Sequence, residues 1–352
     1  MQIGLCLPQL GGNVNRDGLR AFCEQAEELG YGSLWVQEHI FYPLNPVSGY
    51  SARPGLKVPD AYRSTLAALE TLTAAAAWTT RPVVGSSILV AGLHRPVALA
   101  QQLSTIDLLS GGRLDFGVGK GYRHNEFAGF CVPIEEADAR FAESLEVIVK
   151  SWTSKERFSH HGKYWNFEDV IVEPPTAQKP HPPMWMAAGS PDSIRQVAAR
   201  GYNLLLDQFA SFEAVAERIA VFKAAVEARG RIFDPMEVGV ARAYFVAKDR
   251  ADKEAALERR LEAQRRLAAI SNPPGGKNKA SIMAFSDTRE ASEESALYGT
   301  PDEIAGRLDR LRQLGVGYVL LNGGGPAIDS LRRFAGEVMP AFAEDTRMRV
   351  VV

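Results

Sequence analysis

The sequence has few cysteines, little net charge and no long apolar run. Its three cysteines, Cys6, Cys23 and Cys131, are widely separated, so neither a disulfide framework nor a cysteine-based metal site is expected. The net charge is −2, and lysine and arginine are spread along the chain, which argues against nucleic acid or an anionic membrane as the main partner. No window approaches the roughly 18 apolar residues of a membrane span, and Ile3 begins a strand with no signal peptide before it. We therefore expect a soluble, cytoplasmic protein.

The chain instead has a regular alternation of short apolar runs and helical patterns. With 352 residues, of which 46% are hydrophobic, it can form two ordinary domains or one large barrel. Eight apolar runs are predicted as strands, at residues 3–7, 33–36, 83–90, 114–118, 184–188, 204–206, 237–246 and 317–321. Each is followed by a helical pattern, including 61–78, 96–109, 212–228 and 327–342. This alternation predicts a (β/α)8 TIM barrel with insertions. A doubly wound sheet is the alternative, because a sequence cannot show that a sheet closes.

Three stretches are too long or too irregular to be simple connections between barrel elements. We predict one barrel domain over residues 1–352, with insertions at about 41–60, 153–183 and 271–298. Residues 158–165 are predicted to form a hairpin, 124–133 a loop, and 271–294 a mobile excursion.

A glycine-rich stretch at residues 112–122 ends one of the predicted strands. Leu114, Phe116 and Val118 alternate with smaller or polar residues, and the glycines allow close approach to the backbone. Lys120 follows at the strand end and adds a positive charge beside free N–H groups. This arrangement suits an anionic or planar cofactor.

Several motifs together resemble the bacterial luciferase-like flavin-dependent monooxygenases. They are residues 33–39 (SLWVQEH), 94–96 (HRP), 112–122 with Glu126 and Phe127, and 299–301 (GTP). The resemblance implies a barrel, usually a homodimer, that uses reduced FMN together with O2. Because the sequence shows no obvious second nucleotide-binding domain, we expect a separate flavin reductase to supply the reduced FMN. One branch of this family uses the deazaflavin F420 and transfers hydride.

The resemblance also assigns roles to residues near the flavin ring. Glu38 and His39 match a pair beside the ring, in which the histidine acts in acid–base chemistry as the reduced flavin meets oxygen. Both follow the second strand, where barrel active sites lie. Ser86 and Ser87 match a pair joined by a non-prolyl cis peptide that supports the ring.

A second group of residues is assigned by resemblance to the phosphate end of the flavin. Lys120, beside Gly119 and Tyr122, replaces an arginine of the family and offers a point charge in place of a bidentate fork. Ser190 and Ser193 match phosphate-binding positions at a predicted helix N-terminus, where Ser190 can also act as an ordinary N-cap. Gly189 stands where luciferases have a glutamate. Tyr122 lines either the flavin or the substrate.

Alternatives remain open at this stage. The run 322–325 (NGGG) follows the eighth strand, where many barrels bind phosphate, and would fit an isomerase, aldolase or lyase. A non-catalytic flavin-binding protein would retain the phosphate residues and tolerate loss of His39. No metal site is predicted, because His160, His161 and His181 lack ligands at suitable spacing. The leading prediction is an FMN-dependent monooxygenase acting on a small organic substrate that the sequence does not identify, with an F420-dependent oxidoreductase as the nearest alternative.

Overall fold

Eight parallel strands close into a barrel in the computed structural model, which describes residues 1–11, 14–39, 64–271, 285–323 and 328–345. In chain order the strands are β1 (Gln2–Cys6), β2 (Ser33–Val36), β3 (Val83–Ser86), β4 (Leu89–Val90), β5 (Leu114–Gly119), β6 (Phe158–His161), β7 (Asn166–Val170), β8 (Met184–Ala187), β9 (Asn203–Leu206), β10 (Val238–Val246), β11 (Leu297–Gly299) and β12 (Tyr318–Asn322). The barrel order is β1, β2, β3, β5, β8, β9, β10 and β12, and β12 pairs back onto β1. The predicted TIM barrel is confirmed, and the doubly wound alternative is wrong.

Helices surround the barrel. They are α1 (Arg16–Glu28), α2 (Ala68–Trp78), α3 (Pro96–Leu109), α4 (His124–Gly129), α5 (Ala137–Thr153), α6 (Pro191–Arg200), α7 (Phe212–Glu227), α8 (Arg250–Ser271), α9 (Arg289–Glu294), α10 (Pro301–Gln313) and α11 (Ile328–Glu337). Among the helices in the described ranges, none is long and apolar enough to cross a membrane.

Three local predictions are corrected by the structure. The helix predicted over 61–78 begins at Ala68, because Thr65 instead forms an antiparallel bridge with Leu10; residues 61–63 lie outside the described residues. The loop predicted at 124–133 contains α4. The predicted excursion at 271–294 ends in α9, whose first turn is capped by the Thr288 side chain. Residues 272–284 and the predicted insertion at 41–60 are not described.

The barrel interior is filled by an aromatic cluster. Trp35, Trp185 and Tyr318 pack edge to face with ring centroids 5.2–5.8 Å apart. Gly85 makes room for them, because a Cβ there would lie 2.7 Å from the Trp35 ring. The buried Asp115 accepts a hydrogen bond from Trp185 Nε1 at 2.9 Å, which satisfies that polar group. The barrel interior below the mouth is therefore closely packed with side chains.

The predicted hairpin is present as β6 and β7, which pair antiparallel. Glu143 of α5 binds its turn, accepting from the backbone N of Tyr164 at 3.1 Å and of Trp165 at 2.8 Å. The chain then returns to the barrel through Gln178, whose backbone N and side chain both donate to the buried Asp107. Stretch 153–183 is thus anchored to the outer helices α5 and α3.

Candidate active site

The predicted site residues follow four strands that are neighbours in the barrel. β2 lies beside β3, β3 beside β5 and β5 beside β8, all parallel. Parallel strands present their carboxyl ends at one face, and active sites of TIM barrels lie at that face. The structure therefore brings the residues after β2, β3, β5 and β8 to one mouth.

Glu38 is held by two hydrogen bonds from the segment that follows β3. Its Oε2 accepts from the backbone N of Val90 at 2.7 Å, and its Oε1 lies 2.8 Å from Nε2 of His94. The side chain is 6% exposed. Because both oxygens of this buried carboxylate are engaged, Glu38 joins the ends of two neighbouring strand segments. These contacts favour a supporting role beside His39.

His39 is half-buried where the chain leaves β2. Burial, reinforced by the positive charge of Arg123, holds the pKa of His39 well below its usual value of 6.5. The imidazole is therefore neutral at pH 7, with one ring nitrogen as donor and the other as acceptor. A neutral histidine at a barrel mouth can accept a proton or donate a hydrogen bond.

Arg123 was missed by sequence reasoning. Its Nη1 lies 3.7 Å from Oε1 of Glu126, and the two side chains are 9% and 4% exposed. Its guanidinium is 5.7 Å from the Tyr122 ring centroid, and Tyr122 itself is half-buried. The loop after β5 thus carries a nearly buried cation whose charge reaches His39. The feature of the sequence that could have pointed to Arg123 is its position directly after Tyr122, a predicted site residue.

The two serines differ in their surroundings. Ser86 is fully buried within β3; its Oγ donates to the carbonyl O of Gly117 at 2.7 Å and accepts from Gly117 N at 3.0 Å. Ser87 N donates to the carbonyl O of Val36 at 2.8 Å. The predicted cis peptide between Ser86 and Ser87 is wrong by one position, since the non-prolyl cis bond joins Ser87 to Ile88. Ser86 remains in the β3 ladder opposite Val36, and the cis bond follows the end of that ladder.

Cys6 lies beside this group at the end of β1. Its Sγ is 3.9 Å from Nε2 of Gln37. Burial raises the pKa of the Cys6 thiol to about 11, although hydrogen bonds with Ser87 and Gln37 oppose the rise. At pH 7 the group is a protonated thiol, so it packs in the site and does not serve as a nucleophile.

The end of β5 passes close to the chain beside the cis bond. Gly119 pairs with Val90, and a Cβ at Gly119 would lie 2.5 Å from Cδ1 of Ile88. Lys120 then leaves the sheet, with its side chain 37% exposed and its Nζ 2.9 Å from Oδ1 of Asp138 at the start of α5. Lys120 is therefore a solvent-accessible cation with a weak surface partner.

Ser190 and Ser193 form a capping box at the N-terminus of α6. Ser193 N donates to Ser190 Oγ, Ser190 N donates to Ser193 Oγ, and Pro191 occupies the first turn. The N-cap role is therefore present. Gly189 precedes them and is half-buried. Since Val118 of β5 lies opposite Met186 of β8, Lys120 and Ser190 follow neighbouring strands, two and four residues beyond this pair.

These residues fit a planar cofactor that carries a phosphate. The close approach at Gly119 leaves backbone, rather than a side chain, beside Ile88. One cation and the N-terminus of α6 favour an anion there. The Ser190 hydroxyl donates to Ser193 Oγ and the Ser193 hydroxyl to the Ser190 carbonyl O, so each would have to turn to donate to that anion. The competing site at 322–325 is described only in part: Asn322 Nδ2 donates to Oε1 of Gln208 at 3.4 Å, and Gly324 and Gly325 lie outside the described residues.

Comparisons with known proteins agree with the barrel fold. A family model described as luciferase-like monooxygenase matches residues 1–317. A monooxygenase structure from Streptomyces bottropensis superposes with a TM-score of 0.77 at 25% identity, over 97% of this chain and 100% of that chain.

Two curated relatives differ in cofactor. An FMNH₂-dependent dimethylsulfone monooxygenase of Pseudomonas putida is 26% identical over 316 residues, covering 86% of this chain and 81% of the relative. An F420-dependent glucose-6-phosphate dehydrogenase of Kineococcus radiotolerans is 30% identical over 217 residues, covering 60% of this chain and 59% of the relative. The chain is thus similar to enzymes of both cofactor classes.

Proposed function

The chain belongs to the luciferase-like monooxygenase family, and from that premise we propose that it uses reduced FMN and O2 to oxidise a small organic substrate. The observation that supports the proposal is that His39, Lys120 and Ser190 follow β2, β5 and β8, three strands whose carboxyl ends lie on one face of the barrel. FMN, when bound, supplies the electrons that reduce oxygen. A relative that depends on FMNH₂ and covers 86% of this chain supports this cofactor.

Each residue has a proposed part. Lys120, Ser190 and Ser193 bind the phosphate, assisted by the N-terminus of α6. Gly119 and Tyr122 line the cofactor, Ser86 and Ser87 support the ring end of the site, and Gly189 leaves space at the phosphate end. His39 moves a proton as oxygen is reduced, and Glu38 holds the adjoining backbone in place. We further propose a separate flavin reductase as the source of reduced FMN, a homodimer, and a cytoplasmic location.

An F420-dependent hydride transfer is the second candidate. The 30% identity with an F420-dependent dehydrogenase favours it, although that similarity covers 60% of the chain. The two candidates differ in the cofactor that binds, which can be measured without knowing the substrate.

Anaerobic titration of the protein with reduced FMN, reduced riboflavin and reduced F420 tests the proposal. Reduced FMN should bind at least about tenfold more tightly than reduced riboflavin, because the phosphate gains charge-assisted hydrogen bonds. Lys120→Ala should remove much of that preference. Lys155→Ala, which changes an exposed lysine before β6, should leave it unchanged. Binding of reduced F420 without reduced FMN would favour the second candidate.

A further inference from the structure

The residue that fixes the backbone before His39 lies on a different strand segment. Gln9 follows β1 and is 1% exposed. Its Nε2 donates to the carbonyl O of Gln37 at 2.6 Å and to that of Leu66 at 3.0 Å. Its Oε1 accepts from Gln37 N at 2.7 Å. The side-chain amide therefore has both N–H groups and its oxygen engaged.

These contacts also define the orientation of the amide. Exchanging its nitrogen and oxygen would place two N–H groups against Gln37 N and an oxygen against two carbonyls. The orientation with three satisfied hydrogen bonds is thus the one the backbone requires.

The Gln9 side chain replaces a strand neighbour at this point. The ladder between β1 and β2 ends with Leu7 N donating to the carbonyl O of Trp35 at 2.7 Å. Two residues after Trp35, just beyond the end of β2, both backbone groups of Gln37 are bound by Gln9 instead. The side chain continues the ladder after the strands have diverged, and so determines the direction in which Glu38 and His39 leave β2.

We propose that Gln9 is a positioning residue for His39, acting through the backbone of Gln37. The catalytic consequence rests on the proposed function, whereas the positioning itself rests on the hydrogen bonds alone. Glu38 braces the same segment from the opposite side through Val90 and His94.

The effect of substituting Gln9 should be measured first on the pKa of His39. Gln9→Leu removes all three hydrogen bonds and allows the segment to move, so the pKa of His39 should rise toward its usual value. The charged and titratable groups connected with this position are Arg123, whose charge reaches His39, its partner Glu126, and the neighbouring Glu38 with its partner His94. The protein contains six histidines. NMR titration of histidine-labelled protein follows the His39 signal, which is assigned by its absence from the spectrum of His39→Ala. An unchanged His39 titration would overturn the proposal.

Gln2 provides a matched control on the same strand. Its Nε2 donates to the carbonyl O of Gly32 at 3.1 Å, so it also links β1 to the β2 segment, but at the amino end of the barrel. Gln2→Leu should lower stability without altering the His39 titration. An equal shift in both variants would indicate a general loosening of the fold and would also overturn the proposal.

Catalysis and binding should separate in the Gln9 variant. The rate at which reduced FMN is oxidised should change by on the order of tenfold or more, because misplacement of a catalytic group by about 1 Å can cost on the order of 100-fold in rate. FMN affinity should change much less, since Lys120 and Ser190 lie on other strands. A shifted His39 titration in a protein that does not bind FMN would sustain the positioning and refute the proposed function.

Two further measurements cover the case in which Gln9→Leu does not fold. Gln9→Glu retains the shape and the acceptor for Gln37 N but places a carboxylate against two carbonyls, so it should shift His39 in the same direction. In the unaltered protein, the Gln37 amide should exchange with solvent as slowly as the Leu7 amide of the ladder. Fast exchange at Gln37 would contradict the proposed contact.

Discussion

His39 is the residue through which pH acts most directly on this site. Its burial disfavours the charged imidazolium, and Arg123 adds like-charge repulsion. The folded state therefore keeps the imidazole neutral at pH values where an unfolded chain protonates it.

This difference predicts a specific pH dependence of stability. Below about pH 6.5 the unfolded state binds a proton at His39 that the folded state does not bind, so the free energy of unfolding should fall as pH decreases. The stability that arises from this pKa difference is fully present above pH 6.5, and it is lost as the pH falls toward the lower pKa of His39 in the folded state. Urea unfolding of the wild type and of His39→Gln between pH 7.5 and 5 measures it. The wild type should lose more stability than the variant; parallel curves would contradict the lowered pKa.

Residue-scale prediction reached the location of residues where position in the chain carried the information, while their roles stay predictions. Glu38 and His39 directly follow a strand, so sequence reasoning could place them at the barrel mouth. Gln9 could not be found in this way, because its contact with Leu66 joins residues 57 positions apart. The side-chain partners of Glu38 likewise depend on how the segment after β3 folds back.

At the scale of elements, two helices begin with the same device. Ser190 and Thr300 each form a capping box, and each is followed by proline at the first helical position. α6 begins after barrel strand β8, at the proposed phosphate site. α10 begins after β11, where no cofactor contact is proposed. A comparison of Ser190 with Thr300 therefore distinguishes a role in helix capping from a role in cofactor binding.

Ser190→Ala and Thr300→Ala should each lower the free energy of unfolding by about 1 kcal/mol, the usual value of an N-cap side chain. Only Ser190→Ala should also weaken FMN binding. Chemical unfolding and fluorescence titration with FMN provide the two measurements. If Ser190→Ala destabilises the protein and leaves FMN affinity intact, Ser190 is an N-cap alone and its proposed phosphate role is withdrawn.

Element boundaries were predictable where capping residues mark them. Pro96 begins α3 and the Thr300 box begins α10, as expected. The start of α2 was placed too early because residues 64–67 lack a strong helix-stopping signal and are extended through pairing with the chain after β1. The helix α9 was missed because it is short and depends on tertiary contacts: Arg260 donates to the carbonyl O of Ser292 and Arg307 to that of Glu294.

At the scale of the whole molecule, the sequence predicted a barrel but could not show that its sheet closes. Alternating strands and helices also fit an open sheet, and the decision rests on the pairing of β12 with β1. Closure requires close packing between strands: a Cβ at Gly117 would lie 1.6 Å from the carbonyl O of Ser86. In this closed barrel β2, β3, β5 and β8 are neighbours, so their carboxyl ends, which precede the predicted site residues, lie on one face.

The proposed function depends on His39 acting at a site that holds reduced FMN. Rapid mixing of the anaerobic complex of protein and reduced FMN with O2, in the wild type and in His39→Ala, tests this most directly. We expect both proteins to bind reduced FMN with affinities within about threefold of each other, and the rate of flavin oxidation to differ at least tenfold, since general acid–base groups contribute about 10²–10⁴-fold. Equal oxidation rates in the two proteins, or no binding of reduced FMN by the wild type, would contradict it.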